Sequence, residues 1–419
     1  MPETIRVAML SVHTCPLAAL GGKETGGMNV YVRELSRALG RMGLEVDVYT
    51  RSQNPDIPRV VPMGEGARVI HVAAGPEAPL SRPVVHRHLE EFREGVESWR
   101  IARGVDYDLI HAHYWLSGAV ALALRERWAV PVVQMFHTLA RLKNDAARTS
   151  QEREPELRLA EEARILKSAD RIVAAAPAEA EYLARYGAVD RRRIAVVPCG
   201  VDTELFRPGA QIEARAALDL SPGPVILYVG RIAPVKGLDT LLDAVARLRD
   251  RGRAVQLLIV GGDADEPLDG HEAALRHRAE RLRVGDRVRF VGARTQPVLR
   301  TYYVAADVTV LPSYYESFGM VALEAMACAS PVIASRVGGL VTTVRDGVTG
   351  YLVADGDADA LAGRIDAVLG DADLRWRLGH EGVRWAARHR WACIAEAICR
   401  EYARLEPRAG AHLDAAHCA

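Results

Sequence analysis

Short apolar runs, many rich in β-branched residues, alternate along the chain with segments whose apolar residues recur at helical spacing. Met28, Val32, Leu35 and Leu39 recur in this way between the first two runs. Short buried strands separated by helices are typical of parallel sheets with helices on both faces. The pattern predicts strands at Ile5–Leu10, Val46–Tyr49, Val69–Val72, Leu109–His111, Val132–Phe136, Arg171–Ala174, Ile194–Val197, Val225–Val229, Leu257–Val260, Val288–Val291, Val308–Leu311, Val332–Ala334 and Gly350–Val353.

The alternation starts afresh after Cys199–Asp202, and 419 residues are too many for one ordinary core. We therefore predict an α/β protein with two doubly wound, Rossmann-like domains facing each other across a cleft. The predicted bounds are residues 1–205 and 206–387. A last helix over residues 388–406 carries one apolar stripe and is predicted to pack back on the first domain. Ligands of such sheets bind at the carboxyl ends of the strands.

Composition narrows the functional classes. Lys+Arg and Asp+Glu both number 54, which argues against a broad nucleic-acid surface or an electrostatically held membrane enzyme. No apolar run approaches the roughly 18 residues that a membrane span needs. The N-terminus shows no signal peptide, and the six cysteines are scattered without a Cys-x-x-Cys pair. These features favour a cytoplasmic protein with reduced cysteines.

The segment after Val308–Leu311 carries the strongest functional signal. A polar loop leads to Gly319, which opens a helix, and Glu316 and Glu324 lie eight residues apart around it. A helix N-terminus presents free backbone N–H groups to an anionic diphosphate. A diphosphate would repel the two carboxylates, which are better suited to sugar and ribose hydroxyls. The two could also be a general acid/base pair, or surface charges that flank a helix start. The segment is therefore interpreted as half of a nucleotide-sugar site.

Two glycine-containing loops follow strands in the two halves. Arg231 and Lys236, in the loop Gly230–Gly237, could clamp a diphosphate, or they could be ordinary solvated charges. Leu20–Asn29, with Gly26 and Gly27, could bring backbone amides to an anion or form a plain turn. This loop is neither a Gly-x-Gly-x-x-Gly fingerprint nor a P-loop.

Histidines end two strands of the first half. His137 could contact a sugar hydroxyl or be structural. His111 and His113 share one strand face, but no further ligands with metal-site spacing follow, so no metal is predicted. We interpret Asp263-Ala264-Asp265 and Asp355-Gly356-Asp357 as turns rather than metal signatures.

Taken together, these motifs resemble the retaining glycosyltransferases of the two-Rossmann-domain type (GT-B), family 4, over nearly the whole chain. Glu316–Glu324 with Gly230-Arg231 and Lys236-Gly237 carry the resemblance to the family. Four N-terminal motifs resemble those of the mycothiol-pathway members, which transfer N-acetylglucosamine from UDP to inositol phosphate: His13–Leu17, Gly26–Val32, His113–Gly118 and His137–Ala140.

The resemblance implies a donor site in the second domain. Arg231 and Lys236 would hold the diphosphate, Glu324 the ribose, Arg294 the base and Glu316 the transferred sugar. His137 would meet that sugar from the first domain. The implied catalytic set is His137, Arg231, Lys236 and Glu316. The implied donor contacts also include Gly26, Gly27, Phe318, Gly319, Met320 and Val321.

The resemblance also implies an acceptor site in the first domain, formed by Asn29, Arg82, Tyr114, Thr138 and Arg158. Arg82 stands where the mycothiol-pathway enzymes have Lys. Residues 20–25 depart from their Pro-Gly-x-Gly-Asp pattern. The acceptor therefore stays open between inositol phosphate, fructose 6-phosphate, another phosphosugar, and a lipid or glycan.

The resulting hypothesis is a retaining transferase with a UDP-sugar donor, a small phosphorylated acceptor and no protein nucleophile. It has no tightly bound cofactor, no essential divalent metal, no nucleic-acid partner and no membrane span, and a homodimer is left open. The alternatives are a hydrolysing sugar-nucleotide epimerase, a non-catalytic sugar-nucleotide sensor and a nicotinamide oxidoreductase. The missing dinucleotide fingerprint argues against the last of these.

Overall fold

The structure is a computed structural model that describes residues 4–19, 25–262 and 270–415. The described chain divides into two compact units. The first contains residues 4–18, 27–199 and 391–415, and the second contains residue 19 and residues 25–26, 200–262 and 270–390.

The strands within the described ranges are β1 (Arg6–Leu10), β2 (Glu45–Arg51), β3 (Val60–Gly64), β4 (Ala67–Val72), β5 (Leu109–His113), β6 (Val132–Met135), β7 (Arg171–Ala174), β8 (Ile194–Val196), β9 (Val225–Val229), β10 (Gln256–Val260), β11 (Val288–Gly292), β12 (Val308–Leu311), β13 (Val332–Ser335) and β14 (Gly350–Val353). The helices are α1 (Gly27–Arg41), α2 (Arg82–His86), α3 (Leu89–Arg103), α4 (Tyr114–Trp128), α5 (Ala140–Asp145), α6 (Glu156–Ser168), α7 (Pro177–Tyr186), α8 (Gln211–Ala217), α9 (Leu238–Asp250), α10 (Gly270–Arg281), α11 (Gln296–Ala305), α12 (Met320–Ala327), α13 (Leu340–Thr343), α14 (Ala358–Gly370), α15 (Ala372–Ala386) and α16 (Trp391–Ala403).

The sheet of the first unit has the order β3-β4-β2-β1-β5-β6-β7-β8. All of its pairs are parallel except β3 with β4. The central strand β1 lies between β2 and β5, and Val7–Leu10 are fully buried. The loops after β1, β5 and β6 therefore leave the sheet at the same edge.

Helix α16 belongs to the first unit and packs on α1. The Trp391 ring meets the edge of the Tyr31 ring at a centroid distance of 5.5 Å, and the Tyr402 hydroxyl lies 2.7 Å from Nδ1 of His111 on β5. Ile394 and Ile398 on the same face are buried. The apolar stripe of the sequence is thus covered within this unit.

The second unit is built on an entirely parallel sheet with the order β11-β10-β9-β12-β13-β14. Its β9 and β12 are neighbours, and every residue of both is buried. The loop after β9 contains Arg231 and Lys236, and the loop after β12 contains Glu316. Because both strands run in the same direction, the two loops lie side by side.

The predicted fold class is confirmed, since both units are doubly wound α/β layers and every predicted strand is present. The sequence analysis missed β3, an antiparallel edge strand that contains Pro62. Among the described cysteines, Cys15, Cys199, Cys328 and Cys399 are not disulfide-bonded. Among the described residues, no helix is both long and apolar enough to span a membrane.

Candidate functional site

The loop after β9 is held close to the end of β12 by glycine. Gly237 has φ +66°, and a Cβ there would lie 2.0 Å from the carbonyl oxygen of Pro312. The turn Pro234–Lys236 precedes it, and Tyr314 N donates to the Val235 carbonyl at 2.9 Å. A side chain at position 237 would push the two loops apart.

This close approach brings Lys236 to Glu316. Lys236 Nζ donates to Glu316 Oε2 at 2.5 Å, and the two side chains are 17% and 23% exposed. Arg231, on the same loop as Lys236, is exposed, and its carbonyl accepts from the Tyr228 hydroxyl at 2.8 Å. The predicted clamp residues and the predicted sugar carboxylate therefore lie together in the second unit.

The loop 316–319 rests on a glycine pair between β13 and α13. Gly339 N donates to the Glu316 carbonyl at 3.0 Å, and Thr343 Oγ1 donates to the Phe318 carbonyl at 2.7 Å. Cβ atoms at Gly338 and Gly339 would lie 2.0 Å and 2.2 Å from the carbonyl oxygens of Glu316 and Ser317. The backbone of this loop is thereby fixed from one side.

Helix α12 starts directly after Gly319, which adopts φ +87°. The backbone amides of Met320 and Val321 open this helix, and a helix N-terminus is an end at which an anion could bind, so the predicted diphosphate contact of these two residues stays a prediction. Phe318 is buried beside this turn.

Glu324 is buried on the same helix and accepts a hydrogen bond from the Tyr303 hydroxyl at 2.7 Å. Burial raises the pKa of Tyr303 well above its usual value, so this hydroxyl stays a donor. Tyr303, which the sequence analysis did not single out, therefore orients the predicted ribose carboxylate. Arg294 follows β11, is partly buried, and donates to the Ala293 carbonyl at 2.7 Å.

The first unit brings four predicted acceptor residues together. Arg158 Nη2 donates to both the carbonyl and Oγ1 of Thr138, at 2.7 and 3.0 Å. The Arg158 guanidinium lies 4.7 Å from the centre of the Tyr114 ring, and Arg82 Nη1 donates to the Tyr114 hydroxyl at 3.1 Å. Tyr114 starts α4 with φ +74°, and Arg158 is only 1% exposed.

Lys143 and Glu154 belong to this cluster and were missed. Glu154 Oε1 pairs with Lys143 Nζ, lies 3.0 Å from Arg158 Nη1 and 3.9 Å from Arg82 Nη1. Asn144 Oδ1 accepts from Glu154 N at 2.6 Å, which fixes the backbone. Burial pushes the pKa of Glu154 up, but Arg158, Lys143 and Arg82 outweigh it and hold the pKa below its usual value. The four-residue spacing between Glu154 and Arg158, which favours an ion pair, is the sequence signal that could have identified Glu154.

Asn29 lies on the first turn of α1 and is buried. Its Nδ2 donates to Thr14 Oγ1 at 2.6 Å and to the Cys15 carbonyl at 2.7 Å, which ties α1 to the loop after β1. The His13 ring in that loop lies 4.5 Å from the Tyr114 ring. Asn29 is thus linked to the cluster through the β1 loop.

Gly26 and Gly27 lie where the chain passes from the second unit to the first, and Gly27 begins α1. The preceding residues 20–24 lie outside the described residues, as does Asp263-Ala264-Asp265. Asp357 accepts from Ala360 N at 2.8 Å as the N-cap of α14, which agrees with the turn interpretation of Asp355-Gly356-Asp357.

His137 has φ +59°, and its Nε2 lies 2.9 Å from Nδ1 of His113. Burial lowers the pKa values of His111 and His137 to about 3. Within the described ranges, no three His, Cys, Asp or Glu side chains are grouped as metal ligands.

The two groups of residues offer complementary chemistry. The second unit presents two cations and a helix N-terminus for an anion, with two carboxylates for hydroxyls. The first unit presents three cations with Tyr114 and Thr138, which suits a phosphate monoester.

Two family models cover most of the chain: glycosyl transferases group 1 matches residues 211–385, and glycosyltransferase family 4 matches residues 25–205. D-inositol 3-phosphate glycosyltransferase 2 of Catenulispora acidiphila is 43% identical over 409 residues, covering 95% of both chains. A D-inositol 3-phosphate glycosyltransferase of Nocardia farcinica is 43% identical, over 95% of this chain and 89% of the relative.

Among solved structures, sucrose-phosphate synthase from Thermosynechococcus elongatus is 38% identical with a TM-score of 0.88, covering 96% of this chain and 99% of the other. The resemblance inferred from the motifs is confirmed. The chain belongs to the family 4 glycosyltransferases of the GT-B fold, and it is a glycosyltransferase.

Proposed function

We propose that this enzyme transfers a hexosyl group, with retention of configuration, from UDP-N-acetylglucosamine or UDP-glucose to a hydroxyl of a small phosphorylated acceptor such as inositol phosphate. The observation that carries the proposal is the cluster in which Arg82, Lys143 and Arg158 surround Glu154 next to Tyr114 and Thr138. Its three cations outnumber the two carboxylates that pair with them, Glu154 and Glu162, so the cluster keeps a net positive charge that suits a phosphate group. The relatives named as D-inositol 3-phosphate glycosyltransferases support the same acceptor.

The donor would be held by the second unit. Arg231, Lys236 and the first amides of α12 would stabilise the charge that develops on the departing diphosphate. Glu324, oriented by Tyr303, would bind ribose hydroxyls, and Glu316 would bind the transferred sugar. In this proposal the diphosphate oxygen takes the proton of the attacking hydroxyl, so that no protein nucleophile is required.

Because protein cations neutralise the diphosphate in this proposal, a divalent metal is not required. Transfer measured in excess EDTA is expected to proceed at the untreated rate. A rate restored only by added Mg²⁺ or Mn²⁺ would contradict this part of the proposal.

The direct test measures UDP release and product mass with each donor and a panel of inositol phosphate, fructose 6-phosphate and unphosphorylated inositol. Release that depends on inositol phosphate, with a product of the matching mass and a retained anomeric centre by NMR, is expected. Release that depends only on an unphosphorylated or lipid acceptor would overturn the acceptor proposal.

A variant series tests the phosphate cluster itself. Arg82→Ala and Lys143→Ala should each raise the KM for the phosphorylated acceptor by about tenfold or more, since hydrogen bonds to charged groups contribute about 1.5–3 kcal/mol. The slow hydrolysis of donor without acceptor should not change. Arg191→Ala is the matched control, because Arg191 is 69% exposed and pairs with Glu181. Equal KM values in all variants would remove the cluster from the acceptor site.

Transfer to fructose 6-phosphate is the second candidate. The similarity to sucrose-phosphate synthase favours it, at 38% identity and a TM-score of 0.88. The same cluster would hold its phosphate. The acceptor panel separates the two candidates by product mass.

A further inference from the structure

The buried His113 and the partly buried His137 of the first unit share a hydrogen bond, and the direction of this bond decides which ring nitrogen of His137 carries the proton. His113 ends β5 and is fully buried, and its Nδ1 lies 2.9 Å from Nε2 of His137, just after β6. The Tyr31 ring meets both imidazoles edge-on, at centroid distances of 5.7 and 5.1 Å. The orientation of both rings is therefore fixed by packing.

Nε2, the other ring nitrogen of His113, indicates which of the two histidines donates in this hydrogen bond. Nε2 of His113 is buried and has no hydrogen-bond partner among the described residues. Burial lowers the pKa values of both rings, so each is neutral and carries one proton. If His113 carried its proton on Nε2, a buried N–H would be left without an acceptor, which folded proteins rarely tolerate. A proton on Nδ1 instead donates directly to His137.

We propose that His113 is a positioning residue: its Nδ1–H donates to Nε2 of His137, so the one proton of His137 resides on Nδ1 and His137 acts on the substrate as a hydrogen-bond donor. The tautomer of a neutral histidine is set by the bond that its other nitrogen makes. His137 is only partly buried, and no hydrogen bond from a described residue reaches its Nδ1. The function of this donor rests on the proposed transferase activity, in which His137 contacts an oxygen of the transferred sugar.

The positive φ of His137 fits this role. A non-glycine residue at φ +59° is held in a disfavoured backbone conformation by its surroundings. His113 and Tyr31 supply the contacts that fix the ring in that conformation. With His137 as a donor, proton abstraction from the acceptor is left to another group, consistent with the departing diphosphate taking that proton.

The tautomer can be read without activity. Protein labelled with nitrogen-15 in its histidines gives NMR correlations that distinguish Nδ1–H from Nε2–H rings, and His137→Gln identifies the His137 signals. The expected wild-type result is an Nδ1–H tautomer for His137 at neutral pH. A proton on Nε2 of His137 would overturn the proposal.

Variants at position 113 test the positioning role. His113→Asn keeps an N–H donor close to the Nδ1 position, so it should keep the Nδ1–H tautomer of His137 and most of kcat. His113→Phe removes the donor, so it should shift His137 toward Nε2–H and lower kcat by about 10², with KM for the acceptor changed far less. His380→Asn, whose ring stacks on the exposed Trp376 of the second unit, is the control.

The possible failures are distinguishable. An unchanged tautomer and kcat in a folded His113→Phe variant would overturn the positioning role. Equal losses in the Asn and Phe variants, with the tautomer shifted in neither, would also contradict it. An Nδ1–H tautomer in a wild-type protein that transfers no sugar would overturn the proposed function and leave the proton assignment standing.

Discussion

Lys236 and Glu316 show how single side chains would shape the proposed donor site. Their 2.5 Å ion pair holds a cation and a carboxylate side by side on two neighbouring loops. An ion pair between two side chains that are about one-fifth exposed adds little to stability once desolvation is counted. The pair is better explained by binding, since a diphosphate needs the cation and a sugar hydroxyl needs the carboxylate.

Lys236→Ala and Arg231→Ala are expected to lower kcat by about 10²–10³, because each removes a charge that stabilises the leaving diphosphate. Both variants should keep the wild-type circular dichroism spectrum. Arg384→Ala is the control, since Arg384 lies in the same unit, is 70% exposed and pairs with Glu381. Turnover like the wild type in either clamp variant would refute the assignment.

At the scale of elements, the glycine pair Gly338-Gly339 fixes the loop that carries Glu316. Gly339 has ordinary helical dihedrals, so its constraint is steric rather than conformational. Gly339→Ala would place a methyl group 2.2 Å from the Ser317 carbonyl oxygen and displace the loop. We expect kcat/KM to fall by about 10², the effect of a displacement near 1 Å.

The matched control for this change is Gly363→Ala on α14, where a Cβ meets nothing within 4 Å. It should leave kinetics unchanged and raise the free energy of unfolding slightly, by about 0.5–1 kcal/mol. Equal kinetics for the two alanine variants would show that the glycine pair does not hold the donor loop.

The packing of helix α16 is expected to stabilise the first unit. Trp391→Ala is expected to lower the stability of this unit by about 3–5 kcal/mol, since its ring is buried against Tyr31. Amide exchange in α1 measures that loss. Trp376→Ala should cost less than about 1 kcal/mol because that ring is 67% exposed. Unchanged exchange in α1 would contradict the packing role of α16.

The sequence predicted elements and loops better than it predicted the cluster in the first unit. Buried strands leave a continuous apolar signal, and the Glu316–Glu324 segment is local in sequence. Lys143 and Glu154 come from α5 and the segment before α6, so their meeting with Arg82 depends on tertiary packing. No spacing rule joins residues 82, 143 and 154. The His113–His137 bond likewise appears only once β5 and β6 are neighbours.

At the scale of the whole molecule, a group of buried and partly buried histidines ties the stability of the first unit to pH. Burial lowers the pKa values of His13, His111 and His137 to about 3 and that of His113 well below its usual value. For His13, the neighbouring charges of Arg82 and Arg158 are part of the cause of this lowered pKa. At these four histidines the folded state therefore binds fewer protons than the unfolded state below pH 6.5.

Because the folded-state pKa values are depressed, the stabilisation is fully present above pH 6.5 and is lost as the pH falls toward 3. Each histidine contributes up to about 1.4 kcal/mol per pH unit to the slope of the unfolding free energy against pH. His113→Asn removes one titrating histidine while keeping a donor at the Nδ1 position. Between pH 6 and pH 5, the slope of its unfolding free energy against pH should therefore be shallower than that of the wild type by about 1.4 kcal/mol per pH unit. Ordinary carboxylates contribute little in this window. Amide exchange of β1 and β5, corrected for intrinsic rates, follows the first unit alone, since the two units need not unfold together. A slope equal to that of the wild type would mean that His113 is protonated in the folded protein, and the neutral His113–His137 pair would then be wrong.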